Sequence, residues 1–243
     1  MKYEVHDIAA AFALLTRLPV PVDHSRAAAR GARAAWAYPL VGAGLGLLAG
    51  LLGWLALWLG VSAGIAAVLV IAAQVTMSGA MHEDGLADMA DGLGGHTLAR
   101  RLEIMKDSRI GAFGAIALVL ALLARQAGIS AIEAASLPLA MAALGAGSRA
   151  LMVVVMAGLR HARQGGLAAS AGKPPLEAGL TALAIGLLFC VLAFGWFGFG
   201  VFAAMALAAL VVALIANARF GGQTGDILGA TQQSAEIVGL AVL

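Results

Sequence analysis

The sequence predicts an all-α membrane protein. It reads as a polytopic transmembrane helical bundle of about six to seven spans, with an interfacial or re-entrant helix at the N-terminus. Three observations carry this. Apolar residues make up 62% of the chain and charged residues 12%, with a mean hydropathy of +0.95, a composition outside the range of soluble domains. Residues 34–81 and 178–218 contain no charged side chain, and each stretch is long enough for two membrane-crossing helices. Glycine-rich breaks, Gly60-Val-Ser-Ala-Gly64 and Gly195-Trp-Phe-Gly-Phe-Gly200, fall near the middle of both. Each stretch therefore reads as a tight helical hairpin.

The remaining elements follow in order. Residues 8–15 are apolar but too short to span, which gives the interfacial or re-entrant helix. Lys2 is followed by acidic residues, and Arg17 interrupts before an apolar core and cleavage site develop, so no secretory signal is expected. Gly42, Gly46 and Gly50 recur every fourth residue, the spacing of a helix-packing face. Two further spans fit 110–127 and 134–159, and a weaker seventh fits 226–243. The one cysteine, Cys190, lies mid-span, which excludes an internal disulfide and points to packing. The organisation expected is a single integral membrane domain over 1–243, with polar loops at 1–33, 82–109, 160–177 and 219–225.

Those four loops hold thirteen of the fifteen Lys and Arg residues; Arg125 is expected in an opposite loop and Arg149 inside a span. The charge bias places the loops in the cytoplasm. The pI near 9.0 does not indicate nucleic-acid binding, because no basic-aromatic platform accompanies it. Arg26, Arg30 and Arg33, at i, i+4 and i+7, read as a stripe facing anionic headgroups.

The chemistry concentrates at 82–91, His-Glu-Asp-Gly-Leu-Ala-Asp-Met-Ala-Asp. On a helix Asp84, Asp88 and Asp91 share one face, where like charges repel unless a cation intervenes. Beside hydrocarbon such a cluster is costly unless solvated, paired or metal-bound. Hard oxygen donors favour Mg²⁺, Mn²⁺ or Ca²⁺, with Glu83 as a further ligand and His82 and His96 ranked lower. Lys106-Asp-Ser-Arg109 supplies cations suited to phosphate oxygens, and Arg109 can also pair with the neighbouring acids. In Arg219-Phe-Gly-Gly-Gln-Thr-Gly-Asp226, the glycine-rich backbone ahead of a helix can cradle an anion, and Asp226 reads equally as cap or ligand. Arg149 and Glu236 fall within spans, where they could pair with each other.

These residues resemble the cobalamin synthase family, the adenosylcobinamide-GDP ribazoletransferases. The likeness is carried by His82-Glu-Asp-Gly-Leu-Ala-Asp88 with Asp91-Gly, and by Glu103-Ile-Met-Lys-Asp-Ser-Arg-Ile-Gly111. Leu15-Thr-Arg-Leu-Pro-Val-Pro21, Tyr38-Pro-Leu-Val-Gly42, Ser148-Arg149, Arg163-Gln-Gly-Gly-Leu-Ala168 and Gly221-Gly-Gln-Thr-Gly-Asp226 extend it nearly end to end. One departure is that the chain stops at Leu243, soon after the last span starts. The resemblance implies that a ribose hydroxyl of α-ribazole, or of its 5′-phosphate, attacks the cobinamide-linked phosphorus of adenosylcobinamide-GDP. GMP leaves, and Mg²⁺ is required. For that chemistry the residues are expected to give a catalytic metal set of Asp84, Asp88 and Asp91 with Glu83, and a pyrophosphate site of Arg17, Lys106, Arg109 and Arg149, with Thr224 and Asp226 in another wall. The setting implied is the inner membrane of a prokaryote with the site facing the cytoplasm, in contact with lipid and without nucleic acid; a homo-oligomer stays open. Two rivals differ in their expectations. A CDP-alcohol phosphotransferase wants Ala-Arg after the first Asp-Gly, whereas Asp88 follows Ala87 here. A cation transporter wants acids spread mid-span over several helices.

Overall fold

A computed structural model describes residues 3–243, apart from the side chains of residues 167 and 168. Lys2, and the last two side chains of the Arg163–Ala168 motif, thus lie outside the described residues. The helices are α1 (Val5–Leu15), α2 (His24–Arg30), α3 (Tyr38–Trp58), α4 (Ala63–Ser78), α5 (Met81–Leu93), α6 (Leu98–Ile104), α7 (Ala112–Ala131), α8 (Leu137–Gly158), α9 (Leu167–Ala171), α10 (Leu176–Phe194), α11 (Phe197–Ile215) and α12 (Gly225–Ala241). Among the described residues the only β feature is an isolated bridge between His161 and Gln223.

The fold is all-α. Among the described residues, five helical segments are long and apolar enough to cross a membrane, and a sixth if α4 and α5, bent at 90°, count as one span. Both expected hairpins form, α3–α4 and α10–α11, with their turns at the glycine breaks. The N-terminal apolar stretch forms the short helix α1, and α12 occupies the region of the weak seventh span. α12 is not among the membrane-length apolar helices. Thr231, Gln232, Gln233 and Glu236 interrupt its apolar sequence, and the bundle buries all four.

α8 forms the centre and is almost wholly buried. α3 packs along it through the glycine face read from sequence. A Cβ at Gly42 or Gly46 would collide with the backbone of Gly145 or Met141, and one at Gly50 would come within 2.6 Å of Pro138 Cα. Backbone-to-backbone contact of this kind is how apolar helices associate when lipid removes the hydrophobic driving force. Cys190, on α10, is buried against the same helix, its Sγ 3.8 Å from the Ala143 carbonyl oxygen. Leu51, Trp54, Leu120, Leu123, Leu192 and Leu214 remain exposed on the outer helices, as lipid-facing side chains would.

Two charge expectations are corrected. Arg26 and Arg30 do not form a free headgroup stripe. Arg26 donates to Glu4 at 2.6 Å, and Arg30 donates to the fully buried Asp7 at 2.6 and 2.7 Å. Burial would raise the Asp7 pKa, but bonds from Arg30 and the Trp36 indole hold it below its ordinary value. These pairs tie α2 to α1. Arg125 does not lie in an opposite loop either: α7 continues past it to Ala131, and its side chain is 1% exposed.

Candidate active site at a bend between two helices

The site begins where α4 stops. Gly79, with φ 68°, caps α4 in the left-handed region, and the N–H of Ala80 donates to the Val75 carbonyl at 2.9 Å. Ala80 is itself left-handed, with φ 58°, and α5 departs at 90° to α4. The N–H of Arg17 donates to the Met77 carbonyl at 2.7 Å, and a Cβ at Gly79 would strike the Arg17 side chain. The N-terminal Leu-Thr-Arg-Leu-Pro motif therefore closes the end of α4.

α5 carries two acidic faces. Asp84, Asp88 and Asp91 line the outer one: Asp84 is exposed, Asp88 and Asp91 partly so. Burial, with Asp84, Asp226 and Asp91 nearby, pushes the Asp88 pKa up to about 7. That crowding of carboxylates is the condition in which a cation is held. Among the described residues, no three His, Cys, Asp or Glu form a ready-made cage. Mg²⁺ does not need one, since it binds through one or two carboxylates with water and substrate phosphates.

Asp91 has a further task. Its oxygens accept the N–H groups of Gly111 and Gly114 at 2.7 and 2.8 Å, capping the start of α7. A Cβ at either glycine would run into the carboxylate, which explains the Gly-Ala-Phe-Gly spacing. Lys106 and Arg109 share an open groove of about 820 Å³ with Asp91. Arg109 is forked onto Asp107 at 2.6–3.2 Å and holds that carboxyl down at about 2.

Glu83 points the other way. It is buried, accepting from Arg125 Nη1 at 2.9 Å and from Gln233 Nε2 at 3.0 Å. One residue from Asp84 is about 100° around a helix, so the two carboxylates cannot share a face. Arg125 also donates to Gln74 at 2.7 Å and lies 3.3 Å from Glu236. Glu236 accepts from Gln232 at 2.6 Å, and Gln232 also donates to Ser148 at 3.2 Å. The expected Arg149–Glu236 pair is thus replaced by Arg125–Glu236, while Arg149 donates to the Gly145 carbonyl at 3.3 Å. Two guanidiniums and two carboxylates balance within this network, which joins α4, α5, α7, α8 and α12.

The opposing wall comes from α12 and the loop after α8. Thr224 caps α12, its hydroxyl oxygen accepting from the Ile227 N–H at 3.3 Å. Asp226 is therefore not the cap. It accepts from the Thr224 hydroxyl at 3.2 Å and from Arg163 at 3.1 Å, and burial raises its pKa. A Cβ at Gly85 would come within 2.5 Å of the Asp226 carbonyl oxygen, so α5 and α12 touch at backbone distance. The Gln223 N–H donates to the Arg160 carbonyl at 2.8 Å, and the Ala162 N–H to the Gln223 carbonyl at 2.9 Å. This pairing delivers His161 and Arg163 to a cleft of about 280 Å³ that Asp84, Thr224 and Asp226 also line.

The structure thus brings Asp84, Asp88, Thr224 and Asp226 together, and sets Asp91, Lys106 and Arg109 in an adjoining groove. Arg17 lies at the bend, and Arg149 behind α5 within the bundle. Sequence reasoning missed Arg163 and His161 as site residues. The signal was the Arg163-Gln-Gly-Gly run, a cation followed by flexible backbone between two spans.

The sequence profile of the family described as cobalamin-5-phosphate synthase matches residues 7–243. An adenosylcobinamide-GDP ribazoletransferase of Sinorhizobium medicae (strain WSM419) is 41% identical, with 98% of this chain and 95% of the relative aligned. Those of Bradyrhizobium diazoefficiens and Xanthobacter autotrophicus are 44% and 45% identical, covering 97% and 96% of this chain and 91% and 93% of their own lengths. No solved structure matches. With identity at this level running the length of the helical bundle, and with the acidic bend inside the matched region, the chain belongs to the cobalamin-5-phosphate synthase family.

Proposed function

We propose that the chain is an adenosylcobinamide-GDP ribazoletransferase of a prokaryotic inner membrane. The observation that carries the reading is a cleft walled by Asp84, Asp226 and Arg163 in a chain matched along residues 7–243 by that family. Phosphoryl transfer asks mainly for positioning and charge neutralisation, and this cleft offers both acidic and basic groups. A ribose hydroxyl left free in both α-ribazole and its 5′-phosphate gives up its proton to solvent as its oxygen bonds to the phosphorus carrying cobinamide. The bond from that phosphorus to the bridging oxygen breaks, and GMP leaves with the oxygen.

Asp84 and Asp88 are the residues that would hold Mg²⁺, with Asp226 across the cleft and Asp91 at the far end of the stripe. When bound, the ion supplies counter-charge to the pyrophosphate oxygens. Glu83 belongs instead to the buried network, and Arg149 supports it from within the bundle. Arg163 bridges from Asp226 toward the substrate phosphates, Lys106 and Arg109 reach the same anion from the adjoining groove, and Arg17 does so from the bend. Arg109 must leave Asp107 to do so, and at 87% side-chain exposure it is free to swing. Thr224 holds Asp226 in place. In nanodiscs, adenosylcobinamide-GDP, α-ribazole and Mg²⁺ should give GMP and adenosylcobalamin in equal amounts. Absence of GMP with either acceptor would overturn the reading.

The polar loops face the cytoplasm in this proposal, supported by thirteen of fifteen basic residues falling on that side. A Thr97→Cys label in a Cys190→Ser background should react with an impermeant reagent only after the cells are opened.

A further inference from the structure

We infer that the apolar pocket behind the first turn of α5 seats the flat aromatic base of the acceptor nucleoside, with His82 as its polar contact. The inference rests on the ribazoletransferase reading and adds a subsite to it. The pocket is a cavity of about 70 Å³, walled by Leu15, Tyr38, Met81, Met152, Met156 and Leu228. It shares Leu14, Tyr38 and Ala171 with a larger cavity of about 380 Å³ between α1 and α2, which supplies the room a bicyclic ring needs. It shares Met81 and Gly225 with the acidic cleft. An occupant of the pocket therefore lies next to Asp84 and Asp226.

His82 is the independent sign that a ligand belongs here. It lines the pocket, is 2% exposed, and its Nε2 has no hydrogen-bond partner among the described residues. Leaving a buried polar atom unpaired is costly, so the position is explained if a ligand completes the bond. The wall chemistry selects the ligand. Methionine side chains adapt to irregular shapes and make favourable contacts with aromatic rings. A benzimidazole base is flat and apolar with one free ring nitrogen, matching one unpartnered imidazole nitrogen. The guanine of the other substrate carries several donors and acceptors, which these apolar walls would strand. A lipid chain would leave His82 unpaired. With the base seated, the ribose projects toward the shared boundary at Met81 and Gly225, carrying its free hydroxyls into the cleft.

The test uses the full chain in nanodiscs. Free 5,6-dimethylbenzimidazole should compete with α-ribazole, raising its apparent KM, while the KM for adenosylcobinamide-GDP stays put. Met152→Phe narrows the pocket and should raise the KM for α-ribazole by about tenfold or more, leaving the other KM unchanged. His82→Phe should do the same by removing the ring nitrogen. Competition against adenosylcobinamide-GDP, or a KM change confined to that substrate, overturns the inference. Equilibrium dialysis of the free base separates the two readings. A wild type that makes no cobalamin sinks the enzymatic assignment, but base binding that weakens in Met152→Phe still supports the pocket. Binding equal in wild type and variant removes it.

Discussion

The outer and inner faces of α5 carry the same functional group into opposite surroundings. Outside, Asp84 and Asp88 meet each other, Asp226 and Asp91, and burial adds to the crowding on Asp88. Inside, Glu83 meets Arg125 and the Gln233 amide. Glu83 is neutralised by a guanidinium, whereas Asp84 and Asp88 face other carboxylates. Neighbouring positions on one helix thus meet opposite electrostatic surroundings, and the proposed mechanism uses only the outer ones.

The most damaging way to break the outer face is to remove its charge. Asp84→Asn and Asp88→Asn should each lower kcat by about 10²–10³-fold, the scale of losing one charge-stabilising contact. Their elution and thermal midpoint in detergent should stay near wild type. Full turnover in both would remove the stripe from the site.

Breaking the inner face should show in stability. Arg125→Met leaves one excess buried carboxylate beside Arg149, at a cost of roughly 3–5 kcal/mol. Adding Glu83→Gln returns the network to one guanidinium and one carboxylate and should restore most of the thermal midpoint. If the double variant melts no higher than the single one, the network is not held by charge balance.

Much of this division could be read in the residues, and the remainder could not for definable reasons. The i, i+4, i+7 spacing gives the Asp stripe because helix geometry alone sets it. The Gly42, Gly46 and Gly50 face is equally local. Arg125 was legible only as a charge near the end of an apolar run, since its partners sit on α4, α5 and α12. Gln74 and Gln233 carry no charge, so nothing in one dimension marks them as ligands of a guanidinium. Arg30 is hidden for the same reason: its partner Asp7 lies on another helix. Spacing alone lets Asp226 be cap or ligand, and in the fold Thr224 takes the cap.

Metal sharpens the comparison more gently. In chelator, Asp88→Asn should be more stable than wild type by roughly 0.5–1 kcal/mol, because it relieves like-charge repulsion. Mg²⁺ should raise the wild-type midpoint and leave that of Asp88→Asn nearly unchanged. Equal stabilisation of both proteins would place the ion elsewhere.

The smallest effect concerns Ala80, which sets how the two faces are presented. With φ 58° it sits where a Cβ costs roughly 1–2 kcal/mol. Glycine would escape that penalty but lose about 0.5–1 kcal/mol through its freer unfolded chain. Ala80→Gly should therefore raise the thermal midpoint slightly, by up to about 1 kcal/mol in stability. It should also loosen the bend that aims Asp84 and Asp88 at the cleft. The expected result is a kcat reduced several-fold beside a midpoint that is unchanged or higher. A branched side chain makes the contrast: Ala80→Val worsens the strain, so stability and turnover should fall together. If Ala80→Gly keeps full kcat, the 90° bend is fixed by packing on either side of it, namely Gly85 against Asp226 and Arg17 over Gly79, and the strained residue contributes nothing to aiming the outer face.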